Sequence, residues 1–238
     1  MCTYDISKGE SPMITLRPTA IKSGIGEILW IYRDSSNDLD TFKNMYKVTW
    51  WDNWDIGDRT IGNCYGGTVW NHNLMSEFHK EMEENPDSRR HIINLWQNDD
   101  FRKEHGLKPC AFLTMWNVRH EEDDDYLDLM LVQRSSDFSV AGCINQMQYL
   151  FFLHAMAKKY NYKPGRFTWV YDNIQIYDRH FEQVEELLSR EPIECNPQIE
   201  IDKKCTWENM MPNNVHLIDY PREEIEKKNK QLKFELAI

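Results

Sequence analysis

An α+β fold, with strands gathered in one sheet and helices against one face, is predicted by three features of the 238-residue chain. Stretches rich in aromatic and β-branched residues cluster after Arg90, which is strand-like composition. Segments with apolar residues at helical spacing flank them. No period repeats and no Gly/Ser- or Pro-rich linker interrupts the chain, so residues 1–238 read as one domain.

From the N-terminus, the polar stretch 1–10 is expected to be flexible, and residues 12–16 read as a short strand. Residues 23–34 place Ile25, Ile28, Leu29 and Tyr32 at helical spacing, with Ser23 positioned as the cap. A tryptophan-rich loop, 50–54, leads to a glycine-rich turn at Tyr65, Gly66 and Gly67. Leu74–Glu84 has helical spacing and stops at Asn85 and Pro86, because proline disfavours helix in the residue before it. Residues 91–96, 111–119, 126–132 and 167–171 read as strands, and the acidic run 121–125 as a solvated hairpin loop. Two further helices are expected, at 145–160 with Ile144, Met147, Phe151 and Ala155 facing inward, and at 178–190 over Phe181, Val184 and Leu188.

A formal net charge of -11 argues against binding to nucleic acid polymers or membrane surfaces, which attract basic faces. A local arginine cluster could still hold one phosphate. The six cysteines form no C-x-x-C pair and no apolar leader precedes them, so they read as reduced thiols in a cytoplasmic protein. The apolar runs are too short to cross a bilayer.

Among groups that could carry chemistry, Cys110 follows Pro109 just before a strand, and reads equally as a small core residue or a placed nucleophile. Arg134 sits in the run Gln133, Arg134, Ser135, Ser136, Asp137, which closes the next strand. Its guanidinium fork suits a phosphate and its charge favours a nearby thiolate; a surface ion pair with Asp137 is the alternative. Arg89 and Arg90 form a second cation pair, of the kind usually left in solvent. Glu27 lies inside an apolar helical segment, so its carboxylate must be buried with partners or line a pocket, where burial would raise its pKa toward a proton-relay value. No HExxH, Walker loop or GxGxxG occurs, Leu113 stands where a zinc deaminase needs its second cysteine, and the histidines lack metal-ligand spacing, so no metal is expected.

Taken in order, these pieces resemble the thymidylate synthase family over nearly the whole chain from Pro12 to Ile238. The most specific matches are Glu27-Ile28-Leu29-Trp30, Trp51-Asp52-Asn53-Trp54, Tyr65-Gly66, Ser88-Arg89-Arg90, Pro109-Cys110, Gln133-Arg134-Ser135-Ser136-Asp137, Asn145 and the C-terminal Phe234-Glu235-Leu236-Ala237-Ile238. The resemblance implies a large mixed sheet and a sheet-to-sheet homodimer. In that dimer Arg89 and Arg90 of one subunit join Arg134 and Ser135 of the other around the phosphate of a pyrimidine nucleotide. It implies that Cys110 adds to C6 of the base, that Glu27 relays protons, and that Tyr65 assists removal of the C5 proton. Gln133 would join the nucleotide contacts, Asn145 would read the O4 and N3–H edge, and Tyr177 would reach the sugar 3′-hydroxyl. Asp137 would bind the pterin of 5,10-methylenetetrahydrofolate, Trp51 and Trp54 would pack against that folate, and Ile238 would close over the ligands. The product implied is thymidylate from dUMP.

Four departures from the family pattern stand out: no arginine loop precedes Pro12, and Ala111 replaces the histidine after the nucleophile. Gln175 replaces a sugar-binding histidine, with Asp172-Asn173 before it, and Ala141-Gly142-Cys143-Ile144-Asn145 replaces a proline-containing run. They keep open a nucleotide C5-hydroxymethylase, in which water captures the exocyclic methylene, and a nucleotide-binding relative without catalysis.

Overall fold

The computed structural model describes residues 1–103 and 107–235. Its elements run β1 (Cys2–Asp5), α1 (Ile21–Ile28), α2 (Leu39–Tyr46), α3 (Gly66–Asn71), α4 (Leu74–Glu84), β2 (Ile92–Asn94), α5 (Asn98–Lys103), β3 (Ala111–His120), β4 (Asp125–Asp137), α6 (Cys143–Lys159), β5 (Lys163–Gln175), α7 (Phe181–Leu188), β6 (Gln198–Ile201), β7 (Val215–Ile218) and α8 (Arg222–Lys228). Five strands form one mixed sheet in the order β1-β5-β4-β3-β2, and β6 and β7 make a separate pair. β4 and β5 are parallel, so the chain crosses over between them through α6, while the other pairings are antiparallel. The fold is α+β, as the sequence predicts.

Alternation along the strands decides which face is covered. Leu127, Leu129 and Leu131 of β4 and Phe167 and Trp169 of β5 are buried, and α6 packs against both strands. α6 is buried almost all round because α1 lies on its other side. The intervening sheet positions, such as Met115, Met130, Val132 and Val170, are only half-buried.

Several expectations are corrected. The polar lead-in is not loose: Cys2–Asp5 pairs antiparallel with β5, Cys2 opposite Trp169. Residues 12–16 form no strand, because other groups take up their backbone. Ile14, Thr15 and Leu16 carbonyls accept from Tyr220, Asn229 and Arg190 at 3.0, 2.8 and 2.9 Å. The first helix begins at Ile21 without a side-chain cap, so Ser23 lies inside it, and it continues as a π-turn over Leu29–Arg33. α7 is shorter than expected, and its Phe181 and Leu188 are exposed rather than packed.

Candidate active site

The C-terminal ends of β4 and β5 and the start of β3 meet at one end of the sheet, its strand-end edge, where Asp137 pairs with Gln175 and Ala111 with Gln133. The first turn of α6 and one face of α1 close over that edge, leaving a cavity of about 410 Å³, within the usual size for a small-molecule site. Glu27, Trp51, Trp54, Tyr65, Cys110, Gln133, Arg134, Ser135, Asp137, Asn145 and Tyr177 all line it. Residues up to 150 positions apart in the chain, Glu27 and Tyr177, therefore share one space.

Cys110 is fixed from two sides. Its backbone N–H donates to Tyr65 Oη at 3.0 Å, and its carbonyl accepts from Arg134 N at 3.0 Å. Arg134 Nη2 stands 3.6 Å from the Cys110 sulfur, while Nε and Nη2 donate to the carbonyls of Pro109 and Lys108 at 2.9 Å each. Burial pushes the Cys110 thiol up and the Arg134 charge pulls it back down. The alternative pairing of Arg134 with Asp137 does not form among the described residues. Asp137 instead accepts from Val140 N at 3.3 Å and lies 3.9 Å from His180 Nδ1, and burial raises its pKa.

Tyr65 reaches Cys110 because the backbone bends sharply at that point. Its φ of 47° and ψ of -110° are unusual for a side-chain-bearing residue, and Gly66 after it passes so close to Ser36 that a Cβ would sit 1.9 Å from the Ser36 carbonyl oxygen. Only glycine permits that approach. The Tyr65 ring meets Trp51 edge-on at 5.1 Å. Burial and the neighbouring Cys110 raise its hydroxyl pKa.

Glu27 comes off α1 into the cavity wall, where Trp50 Nε1 donates to it at 2.5 Å. Burial pushes its carboxyl up to about 7, against hydrogen bonds from Trp50 and Gln148 that favour the charged form. A carboxyl balanced near neutrality can both give and take a proton. Asn145, in the first turn of α6, accepts from Gln133 Nε2 at 3.1 Å and donates to Gln148 Oε1 at 2.9 Å. Gln175 donates to Tyr177 Oη at 3.2 Å on the cavity wall.

Arg89 and Arg90 are not in this cavity. Both are exposed, on the turn between α4 and β2. Ile238 lies outside the described residues. Sequence reasoning missed Trp50, Gln148 and Tyr149 as lining residues. Gln148 had a signal of its own, an amide three residues after Asn145 and on the same helical face, just before the apolar run 149–153.

No group of three or more His, Cys, Asp or Glu that could hold a metal ion occurs among the described residues, and none of their helices is long and apolar enough to cross a membrane. The family profile described as thymidylate synthase matches residues 1–237. Thymidylate synthase of Streptococcus sanguinis (strain SK36) is 44% identical over 241 residues, covering 99% of this chain and 84% of the relative. That of Streptococcus mutans serotype c (strain ATCC 700610 / UA159) is 44% identical over 238 residues with the same coverage. The solved structure of thermostable thymidylate synthase A from Bacillus subtilis superposes with a TM-score of 0.87 at 29% identity, over 100% of this chain and 84% of that one. The cavity built around Cys110 and the match along nearly the whole sequence lead to one conclusion: the chain belongs to the thymidylate synthase family.

Proposed function

We propose that the protein methylates C5 of dUMP with 5,10-methylenetetrahydrofolate, through a transient bond between Cys110 and C6 of the base. The observation that carries this reading is a free thiol 3.6 Å from an arginine, in the same cavity as a hydrogen-bonded asparagine amide. The thiolate bonds C6, and the C5=C6 electron pair moves toward C5 and O4, which makes C5 a nucleophile for the one-carbon unit. Once C5 loses its proton, the bond from the one-carbon unit to the folate nitrogen breaks and leaves an exocyclic methylene. Hydride from the released tetrahydrofolate adds to that methylene as the sulfur departs from C6, which restores the C5=C6 double bond. The folate supplies both the carbon and the hydride, and leaves as dihydrofolate.

The chain's own groups fit these needs. Arg134 steadies the thiolate and, with Ser135, offers donors to the phosphate. Asn145, backed by Gln133, faces the base edge; Glu27, near pH 7 in its titration, moves protons. Tyr65 Oη, which accepts from the Cys110 backbone N–H, assists removal of the C5 proton. Tyr177, with Gln175, meets the sugar. Trp51 and Trp54 give the folate an aromatic wall, and Asp137 an acceptor for its ring N–H groups. Ser136 Oγ is buried in the cavity lining with no partner among the described residues, and so suits a polar ligand.

Arg89 and Arg90, exposed and outside the cavity, are read as arms that complete a partner subunit's phosphate site in a homodimer built on the half-buried sheet face. One domain spans the chain, and the reduced thiol suits a cytoplasmic setting. The test is incubation with dUMP, dCMP, UMP or CMP plus methylenetetrahydrofolate, following dihydrofolate absorbance and nucleotide mass. Methylated dUMP with dihydrofolate is expected. Hydroxymethyl product without folate oxidation would instead make the protein a C5-hydroxymethylase, and no turnover of any nucleotide would make it a non-catalytic binder.

A further inference from the structure

An asparagine amide can read uracil or cytosine, depending on which way it is turned. Uracil presents N3–H and O4, so it needs the amide oxygen at N3 and the amide nitrogen at O4; cytosine, with a bare N3 and an N4 amino group, needs the reverse. Whatever fixes the amide's orientation therefore chooses the base.

In this chain a run of hydrogen bonds fixes it from both ends. Trp169 Nε1, which can only donate, donates to Gln133 Oε1 at 3.0 Å. Gln133 must then present its nitrogen inward, and Nε2 donates to Asn145 Oδ1 at 3.1 Å and to the Ser135 carbonyl at 2.9 Å. Asn145 Nδ2 donates in turn to Gln148 Oε1 at 2.9 Å. Gln148 Nε2 ends the run on the Gly24 carbonyl at 3.4 Å, a group that can only accept. Turning any one amide sets oxygen against oxygen or N–H against N–H. Trp169, Gln133 and Gln148 are 0%, 2% and 2% exposed, so water does not readily repair such a mismatch. Gly24 leaves room for this contact: a Cβ there would lie 2.5 Å from Met147 Cε and 3.1 Å from Gln148 Cγ, so Met147 would have to swing aside and Gln148 to shift.

We infer that Trp169 and Gln148 are specificity-determining positioning residues, which hold the Asn145 amide in one orientation so that the cavity accepts one pyrimidine and refuses the other. This rests on the reading of the cavity as a pyrimidine nucleotide site. Each acts through a neighbouring amide, Trp169 through Gln133 and Gln148 on Asn145 itself.

The experiment measures Kd by calorimetry, and kcat/KM, for dUMP and for dCMP, in the wild type, Trp169→Phe, Gln148→Met, their double variant and Gln148→Glu. The wild type is expected to prefer dUMP. Either anchor-removing single variant should lower the dUMP-to-dCMP ratio by about threefold to tenfold, the worth of one hydrogen bond, and the double variant should lower it further. Gln148→Glu gives up the donations to Gly24 and Glu27 and so weakens both nucleotides, but a carboxylate, having acceptors only, still holds the Asn145 amide nitrogen toward it and should keep the ratio. Loss of packing alone weakens both nucleotides together and leaves the ratio where it was. A double variant with the wild-type ratio overturns the inference. Should that variant fail to fold, the Gln148 pair decides, and equal ratios for Met and Glu overturn it. A wild type that binds neither nucleotide sinks the reading of the site instead, before any variant is compared.

Discussion

The cavity around Cys110 and the turn that carries Arg89 and Arg90 are built in opposite ways. In the cavity, reactive groups are half-buried or buried and hold one another: Tyr65 on Cys110, Arg134 on the carbonyls before it, and Gln133 on Asn145. On the turn, both arginines are exposed, yet the backbone beneath them is firmly set. The Asn85 carbonyl accepts from Ser88 N at 2.9 Å and from the buried His91 ring at 3.0 Å, while His120 bridges Asp87 and Asp125 at 2.7 and 2.6 Å. On the proposed reading, this rigid turn offers its two guanidinium groups to a site on a second copy of the chain. By the same reading, the contrast means that the base chemistry is complete within one subunit, whereas the phosphate clamp needs a second.

The largest expected effect lies in the cavity. Cys110→Ser should lower kcat by about a thousandfold or more, because a serine hydroxyl at neutral pH is a far poorer nucleophile than a thiolate. Rates within tenfold of wild type would remove the covalent step. Next comes the turn: Arg89→Ala with Arg90→Ala should raise Kd for dUMP by about tenfold to a thousandfold through lost charged hydrogen bonds. Refolding that double variant together with Cys110→Ser should recover part of the activity, since a mixed dimer then holds one site with an intact thiol and intact arms. No recovery would mean that the arginines serve their own chain, and the contrast drawn above would fail.

Smaller effects sharpen it. Glu27 carries a proton in the folded state up to about pH 7, against 4.5 for a free side chain. Between those values the native state binds more protons than the unfolded one, so stability falls as pH rises through this window. Glu27→Gln, which has no charge to bury, should therefore stabilise the ligand-free protein by up to about 3 kcal/mol at pH 8 and little at pH 4, as denaturant unfolding at the two pH values will reveal. A pH-independent difference would show that Glu27 titrates normally. The least effect belongs to His120, whose two aspartate partners raise its pKa. Its hold on the turn is present at low pH and lost as pH rises through the folded value. His120→Ala should thus speed amide exchange in residues 85–91 at pH 6 but not at pH 9.

Legibility from sequence follows how local the cause is. α4 is read to the residue because its apolar spacing and the Asn85-Pro86 stop are both local. The strands 111–119, 126–132 and 167–171 are found, though β4 and β5 run on to 137 and 175, where polar cavity residues hide the pattern. α2, α3, α5, α8, β6 and β7 go unseen: they are short, and the two small strands exist only because they pair with each other. β1 is polar and owes its order to an edge of β5 more than 160 residues away. The cavity residues are legible through family resemblance, while Trp169 is not: its one polar atom meets a side chain 36 residues away, across two parallel strands.

The central claim, a sulfur bond from Cys110 to C6 of the pyrimidine, can be tested by intact-protein mass spectrometry with 5-fluoro-dUMP and methylenetetrahydrofolate. Fluorine at C5 cannot leave as the proton does, so a reaction that proceeds through this bond must stall with both molecules attached. A mass increase equal to their sum, present in the wild type and absent in Cys110→Ser, is the result expected. An unmodified wild-type mass, or the same adduct on the serine variant, would contradict the account.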